Sequence, residues 1–93
     1  MDERQAYIEK VNARLSEWKA RVDLLRAQAR EAKADAKIEY SREADDLQAK
    51  LESVRTKVNE LKDSSQDSWD ELRNGVQKAY EDLGDAIARA MKH

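Results

Sequence analysis

The feature that most constrains this chain is the stretch from Asp2 to Lys62, which contains neither proline nor glycine. These two residues oppose helix formation most strongly, so nothing in the stretch imposes a break. Apolar residues recur along it at alternating spacings of three and four, beginning with Ile8, Val11 and Leu15. This spacing is typical of a helix that packs an apolar stripe against other helices. We therefore predict one long helix over about 2–62.

The spacing changes once, where two steps of four follow each other from Ala36 to Tyr40 and Ala44. Such a stutter locally unwinds the supercoil of a coiled coil. Alanine, the strongest helix former, occupies Ala32, Ala34 and Ala36 just before it. The long helix is therefore expected to continue through the stutter.

The first predicted stop is the polar run at 63–67, which is rich in Asp and Ser. Ser68 followed by Glu71 has the spacing of a capping box. We therefore predict a short turn at 63–67 and a second helix from Ser68 to about residue 91. An alternative is that Asn74-Gly75 forms a turn, in which case the second helix begins near Val76.

Folding the second helix back on the first leaves part of the apolar stripe without a partner. The second helix reaches only to about Tyr40, so the stripe from Ile8 to Leu25 stays exposed. A stripe of this size is too large for a soluble monomer to leave in water. An identical long helix lying antiparallel across residue 32 would cover it. We therefore predict an all-α fold in one domain, 1–93, that assembles as an antiparallel coiled-coil homodimer of helical hairpins, with a three-helix cluster at each end.

Two groups of residues follow from this prediction. The predicted dimer interface consists of Ile8, Val11, Leu15, Trp18, Val22, Leu25, Ala29, Ala32, Ala36, Tyr40, Leu47, Leu51, Val54 and Val58. The predicted hairpin core consists of Leu61, Trp69, Leu72, Val76, Leu83 and Ile87.

The alternative to the dimer is a monomer in which the long helix breaks near Ala32–Ala36 and makes the same contacts within one chain. A tight break favours Gly, Asn or Pro, and their absence from this segment favours the dimer.

Composition narrows the class of protein. Charged residues make up 41% of the chain, and Phe, Pro and Cys are absent. Most β folds need more aromatic and β-branched residues, and zinc sites built on cysteine are excluded. No apolar run approaches the ~20 residues that cross a bilayer. Heptad-spaced residues follow the N-terminus at once, without the core of a signal peptide, so a cytoplasmic location is expected.

The charge distribution argues against nucleic acid as a partner. The net charge is −2, and residues 63–93 hold four Lys and Arg against seven Asp and Glu. Nucleic-acid binding needs a cluster of basic residues to neutralise phosphates. The sequence offers no such cluster.

No pattern of reactive residues points to catalysis. The single histidine, His93, is the last residue, where a chain end is a poor place for a reaction centre. A di-metal helical bundle needs Glu-x-x-His pairs, and Ser64, Ser65 and Ser68 have no histidine base for nucleophilic attack. We therefore predict no enzyme activity, no catalytic residue, no metal site and no cofactor.

The amphipathic pattern leaves two classes of partner. Trp18 and Trp69 could anchor a membrane surface or stack on bases, but their heptad positions favour a place in the core. A helix that lies on lipid needs a broad apolar face with Lys and Arg on its polar side. Here the polar side mixes both signs and the apolar stripe is narrow. We therefore expect contact with another copy and with an unidentified protein partner, and keep a membrane surface as the alternative.

Several short motifs along the chain follow a known pattern: Tyr7–Lys10, Leu15–Trp18, Ala32–Tyr40, Leu61-Lys62, Trp69–Leu72 and Gly75-Val76. In these motifs the chain resembles a family of small bacterial coiled-coil proteins that are described as stress-response proteins. The resemblance covers nearly the whole length. It implies a cytoplasmic, non-enzymatic helical protein linked to stress, and it supplies no substrate or catalytic residue.

Overall fold

Three α-helices account for nearly all of residues 2–92. The structure, a computed structural model, describes residues 2–92, and it contains no β-strand within that range. Helix α1 spans Glu3–Glu31, α2 spans Ala34–Lys62 and α3 spans Trp69–Ala90. The all-α prediction is confirmed. The prediction for His93 concerns a residue that lies outside the described range.

The prediction of a single helix over 2–62 is wrong, because the chain turns between α1 and α2 at Ala32 and Lys33. Ala32 has φ −79° and ψ 158°, and Lys33 has φ −69° and ψ 160°. Both conformations are extended and open to any L-amino acid. We expected a tight break to need Gly, Asn or Pro. Two extended residues in succession make the break without any of these.

The remaining helix ends are closed by local hydrogen bonds. The Asp2 carboxylate accepts a hydrogen bond from the Arg4 backbone N–H at 3.1 Å and so caps α1. At the end of α2, the Ser64 hydroxyl donates to the Leu61 carbonyl at 2.6 Å. The turn that follows begins at Asp63, as predicted.

Helix α3 begins without the predicted capping box. Ser68 takes a right-handed helical conformation, and its side chain makes no capping hydrogen bond. Ser65 supplies the contact instead, because its hydroxyl accepts from the Ser68 backbone N–H at 3.3 Å. Asn74 and Gly75 lie inside α3, so the alternative start near Val76 is also wrong.

The helices form an elongated three-helix bundle of 51 × 21 × 19 Å. Helix α2 packs closely against both α1 and α3, whereas α1 and α3 approach each other less closely. Because the two-residue link turns the chain back on itself, α1 and α2 run in opposite directions. Tyr7 meets Trp69 while Trp18, three turns further along α1, meets Tyr80, so α1 and α3 run in the same direction.

Candidate interaction surface

The apolar seam is the surface on which the three helices meet, and most of the predicted core and interface residues lie in it. Within the described chain the buried residues are apolar, and no charged or polar residue is buried with them. The predicted interface residues that are buried in the single chain are Val11, Leu15, Trp18, Val22, Leu25, Ala29, Leu47, Leu51, Val54 and Val58. The buried residues of the predicted hairpin core are Leu61, Val76, Leu83 and Ile87.

The other predicted residues lie at the two ends of the seam and are half-buried. Ile8, Trp69 and Leu72 are at the end where α1 and α3 begin. Ala32, Ala36 and Tyr40 are at the opposite end, beside the link between α1 and α2. The stripe from Ile8 to Leu25 is thus covered by α2 and α3 of its own chain. The premise that only a second chain could cover it is wrong, and the homodimer itself stays a prediction.

Aromatic side chains make contacts between α1 and α3. The Trp18 and Tyr80 rings lie 5.0 Å apart between centroids with a tilt of 42°. The Trp18 ring also lies over Gly84, where an added Cβ would meet it at 3.4 Å. A glycine at this position therefore lets the indole rest against the α3 backbone.

A second contact between α1 and α3 is the aromatic–arginine cluster, formed by Arg4, Tyr7, Trp69 and Arg73. The Arg4 guanidinium lies 4.9 Å from the centre of the Trp69 ring, and the Arg73 guanidinium lies 5.9 Å from the centre of the Tyr7 ring. The two rings meet edge to face at 6.3 Å. Cations over aromatic faces attract the ring quadrupole, so the cluster joins the first turns of both helices.

The Tyr7 hydroxyl completes this contact. It donates a hydrogen bond of 2.8 Å to the Gln77 side-chain carbonyl. Burial raises the pKa of the Tyr7 phenol above its ordinary value of 10.0, and the positive charge of Arg73 partly opposes this. The neutral phenol is therefore the form that the folded chain prefers.

A shallow groove of about 480 Å³ lies beside the cluster. Its lining combines two guanidinium groups with three carboxylates, so it does not select a ligand of one charge. The lining residues are Asp2, Glu3, Arg4, Tyr7, Trp69, Asp70 and Arg73. We regard this groove as the surface of a helix contact.

The outer faces of the helices carry charge of both signs. An ion pair between Arg26 and Asp45, with 2.9 Å between nitrogen and oxygen, joins α1 to α2. Others, such as Lys19 with Asp23, connect successive turns of a single helix. These side chains are exposed, so each pair contributes only about 0–1 kcal/mol. The charged outer faces therefore add little to the stability of the bundle, which depends mainly on the apolar seam.

The described residues, 2–92, contain no group of three or more His, Cys, Asp or Glu side chains arranged to hold a metal ion. None of their helices combines the length and the apolar character needed to cross a membrane.

Several contact residues were missed in the sequence. Ala86 is buried in the seam, and its spacing of three from Leu83 could have revealed it. Arg4, Arg73 and Gln77 were not predicted because they are polar and join two helices that lie far apart in the chain. No periodicity within one helix reports such a contact.

The fold and the surface define an all-helical protein whose contacts are made by packed apolar helix faces. Comparison with models of protein families, with curated proteins and with solved structures gave no match.

Proposed function

We propose that this chain is a non-enzymatic interaction protein that contacts or protects protein partners through its helices. The observation that carries the proposal is the apolar seam. Leu15, Leu25 and Leu51 are almost fully buried in it, while the outer faces are charged. Separation of α1 from the other two helices would present two long apolar faces, and such faces bind partly unfolded or helical partners.

Self-association belongs to the same proposal. An antiparallel homodimer would pair α1 of one copy with the same face of α2 that α1 now covers. The seam supports this arrangement because its side chains would keep their apolar contacts when α1 of one copy replaces α1 of the other. The proposed partners are therefore a second copy of this chain and an unidentified protein.

The proposed setting is the cytoplasm of a bacterium under stress. The resemblance to bacterial stress-response proteins supports this part of the proposal. The charged outer surface is consistent with it, because a high density of charge keeps a complex with an unfolded partner in solution.

An aggregation assay tests the protective function. An unrelated client enzyme is heated alone and with a several-fold excess of this protein, and light scattering is followed. We expect the scattering to fall. Unchanged scattering at every excess would contradict protection.

A matched variant identifies the surface responsible. Leu24 and Ile38 are the large apolar side chains most exposed among the described residues, at 53% and 55%. If the seam acts, the double variant Leu24→Ser, Ile38→Ser should keep the protective effect. Loss of the effect in a variant that keeps its helical content would assign it to these exposed side chains.

The alternative function is reversible binding to a lipid surface, and α3 is the observation in its favour. This helix is the most strongly amphipathic of the three, with Val76, Leu83 and Ile87 on one face. Its polar side carries more acidic than basic residues, which opposes binding to anionic lipid. Flotation with vesicles that contain phosphatidylserine separates the two functions, and the interaction proposal expects no bound protein.

A further inference from the structure

The link between α1 and α2 has no residue that requires a break. Ala32 is the strongest helix former, and Lys33 is among the good ones. On either side of the link, Arg30, Glu31 and Ala34 also favour a helix. The two link residues differ from helical backbone mainly in ψ, which is near 160° at both. Rotation of these two angles would join α1 and α2 into one continuous helix.

The helix ends at the link are poorly capped. Lys33 occupies the N-cap of α2 and makes no side-chain capping hydrogen bond, since an ammonium group has no acceptor. At the end of α1, the Ala32 backbone N–H reaches the Ala29 carbonyl only at 3.4 Å. Each helix end leaves up to four backbone groups without partners inside the helix. A continuous helix would satisfy those groups.

The two helices on either side of the link match in length. Helices α1 and α2 contain 29 residues each. If two copies straighten at the link, α1 of each can lie along α2 of the other over its full length. Helix α3 stays on α2 through its own turn at 63–68. Every contact of the seam is then remade, and the only local structure lost is the link itself.

We propose that Ala32-Lys33 is a hinge that exchanges α1 between two copies of this chain and so controls its assembly. This inference rests on the self-association in the proposed function and adds its regulation. The closed bundle dominates at low concentration. The population of the exchanged dimer rises with concentration. Backbone hydrogen bonds made across two straightened links offset the translational and rotational entropy that is lost when two copies associate.

The variant that tests the hinge is Lys33→Pro. Proline requires φ near −65°, and Lys33 already has φ −69°. The residue before it, Ala32, has the extended conformation that precedes proline. The Lys33 N–H donates no backbone hydrogen bond at the link. The closed bundle therefore accepts this proline.

The straightened helix does not accept it. Proline at 33 would lie in the helix interior, where it removes a hydrogen bond and clashes with the carbonyl of Ala29. Since a dimer contains two such positions, its dissociation constant should rise by roughly 10⁴-fold. The matched control is Lys33→Ala, which removes the same charge but leaves the helix possible.

Each protein is refolded from urea over a range of concentrations, so that exchange is not limited by slow opening. Small-angle X-ray scattering on an absolute scale then reports mass and length. For the wild type and Lys33→Ala, we expect a rise with concentration from 10.7 kDa and 51 Å towards twice the mass and roughly 90 Å, the length of a straight helix over 3–62. Lys33→Pro should stay at the lower mass and length.

Two results would overturn the hinge. One is a wild type that keeps the mass and length of the closed bundle at every concentration. The other is a Lys33→Pro variant that assembles as the wild type does. The aggregation assay distinguishes failure of the hinge from failure of the proposed function. If the wild type and Lys33→Pro both protect the client enzyme, the interaction function holds without the hinge.

Discussion

At the scale of single residues, two adjacent leucines show how burial is decided. Leu25 is 1% exposed and lies in the seam, whereas Leu24, one position earlier, is 53% exposed. Successive residues of a helix point about 100° apart, so one faces the other helices and its neighbour faces away. Leucine therefore contributes strongly to the stability of the fold at position 25 and little at position 24.

This contrast leads to a paired prediction. Leu25→Ala should lower the free energy of unfolding by about 2–5 kcal/mol, because it removes buried methyl groups and leaves a cavity. Leu24→Ala should change it by no more than ~0.5 kcal/mol. Urea unfolding followed by circular dichroism measures both. Equal losses in the two variants would mean that α1 is rotated from the orientation described.

Tyr7 provides a second test at this scale. Tyr7→Phe should cost about 0.5–1.5 kcal/mol at neutral pH, because it removes the hydrogen bond to Gln77. Gln77→Ala removes the same bond from the other side, and it also removes the exposed hydrogen bond that Gln77 donates to Glu81 at 3.0 Å. The free energy of unfolding in urea is the quantity to compare, and a Tyr7→Phe variant as stable as the wild type would contradict this role.

The raised pKa of Tyr7 also predicts a dependence on pH. The folded chain keeps the phenol proton to a higher pH than the unfolded chain, whose tyrosine titrates near 10.0. The contribution of this group is therefore complete below pH 10.0 and is lost as pH rises through the raised pKa. The stability difference between the wild type and Tyr7→Phe should narrow at alkaline pH. A difference that stays constant would show that Tyr7 titrates alike in both states.

At the scale of the helices, the two glycines of α3 differ in their surroundings. An added Cβ at Gly75 would meet nothing within 4 Å, whereas one at Gly84 would touch the Trp18 ring at 3.4 Å. Both glycines have helical backbone, which alanine favours by about 1 kcal/mol. Only at Gly84 does a side chain of a neighbouring helix lie in the space next to the glycine.

We therefore expect Gly75→Ala to raise the free energy of unfolding by about 0.5–1 kcal/mol. Gly84→Ala should gain less, because the added methyl group would meet the Trp18 ring at 3.4 Å, the tight end of ordinary van der Waals contact. Thermal unfolding gives the stability of each variant, and tryptophan fluorescence reports the ring. A spectral change with Gly75→Ala and none with Gly84→Ala would contradict the packing of α1 on α3.

At the scale of the whole molecule, stability comes from the seam and not from the charged faces. The ion pairs described here are exposed, and most connect residues of one helix. Such pairs are weak and are screened by salt. The apolar contacts of the seam do not depend on screening.

Asp45→Asn tests whether the charged faces contribute little to stability. It breaks the Arg26–Asp45 pair between α1 and α2, and it should cost less than about 1 kcal/mol. The small difference from the wild type should disappear in roughly 1 M NaCl, where the screening length falls to about 3 Å. Urea unfolding at low and high salt is the measurement. A large loss that persists at high salt would mean that the pair is more than a surface contact.

The helices themselves could be predicted from the sequence, for a local physical reason. The spacing of Val11, Leu15 and Trp18 depends only on the 3.6-residue period of a helix. The same spacing predicted which residues of α1 and α2 face the core. The start of α3 at Trp69 was within one residue of the prediction, because a polar run of Ser and Asp interrupts the apolar pattern before it.

Only the tertiary structure decided where the long apolar stripe divides and which residues cover it. The link at Ala32-Lys33 carries no local signal, since both residues favour a helix. They are extended because packing α1 against α2 lowers the free energy more than a straight helix would at the link. The contacts of Arg4 with Trp69 and of Tyr7 with Gln77 depend likewise on two helices meeting. Periodicity determined the faces of the helices, whereas packing determined their number and their partners.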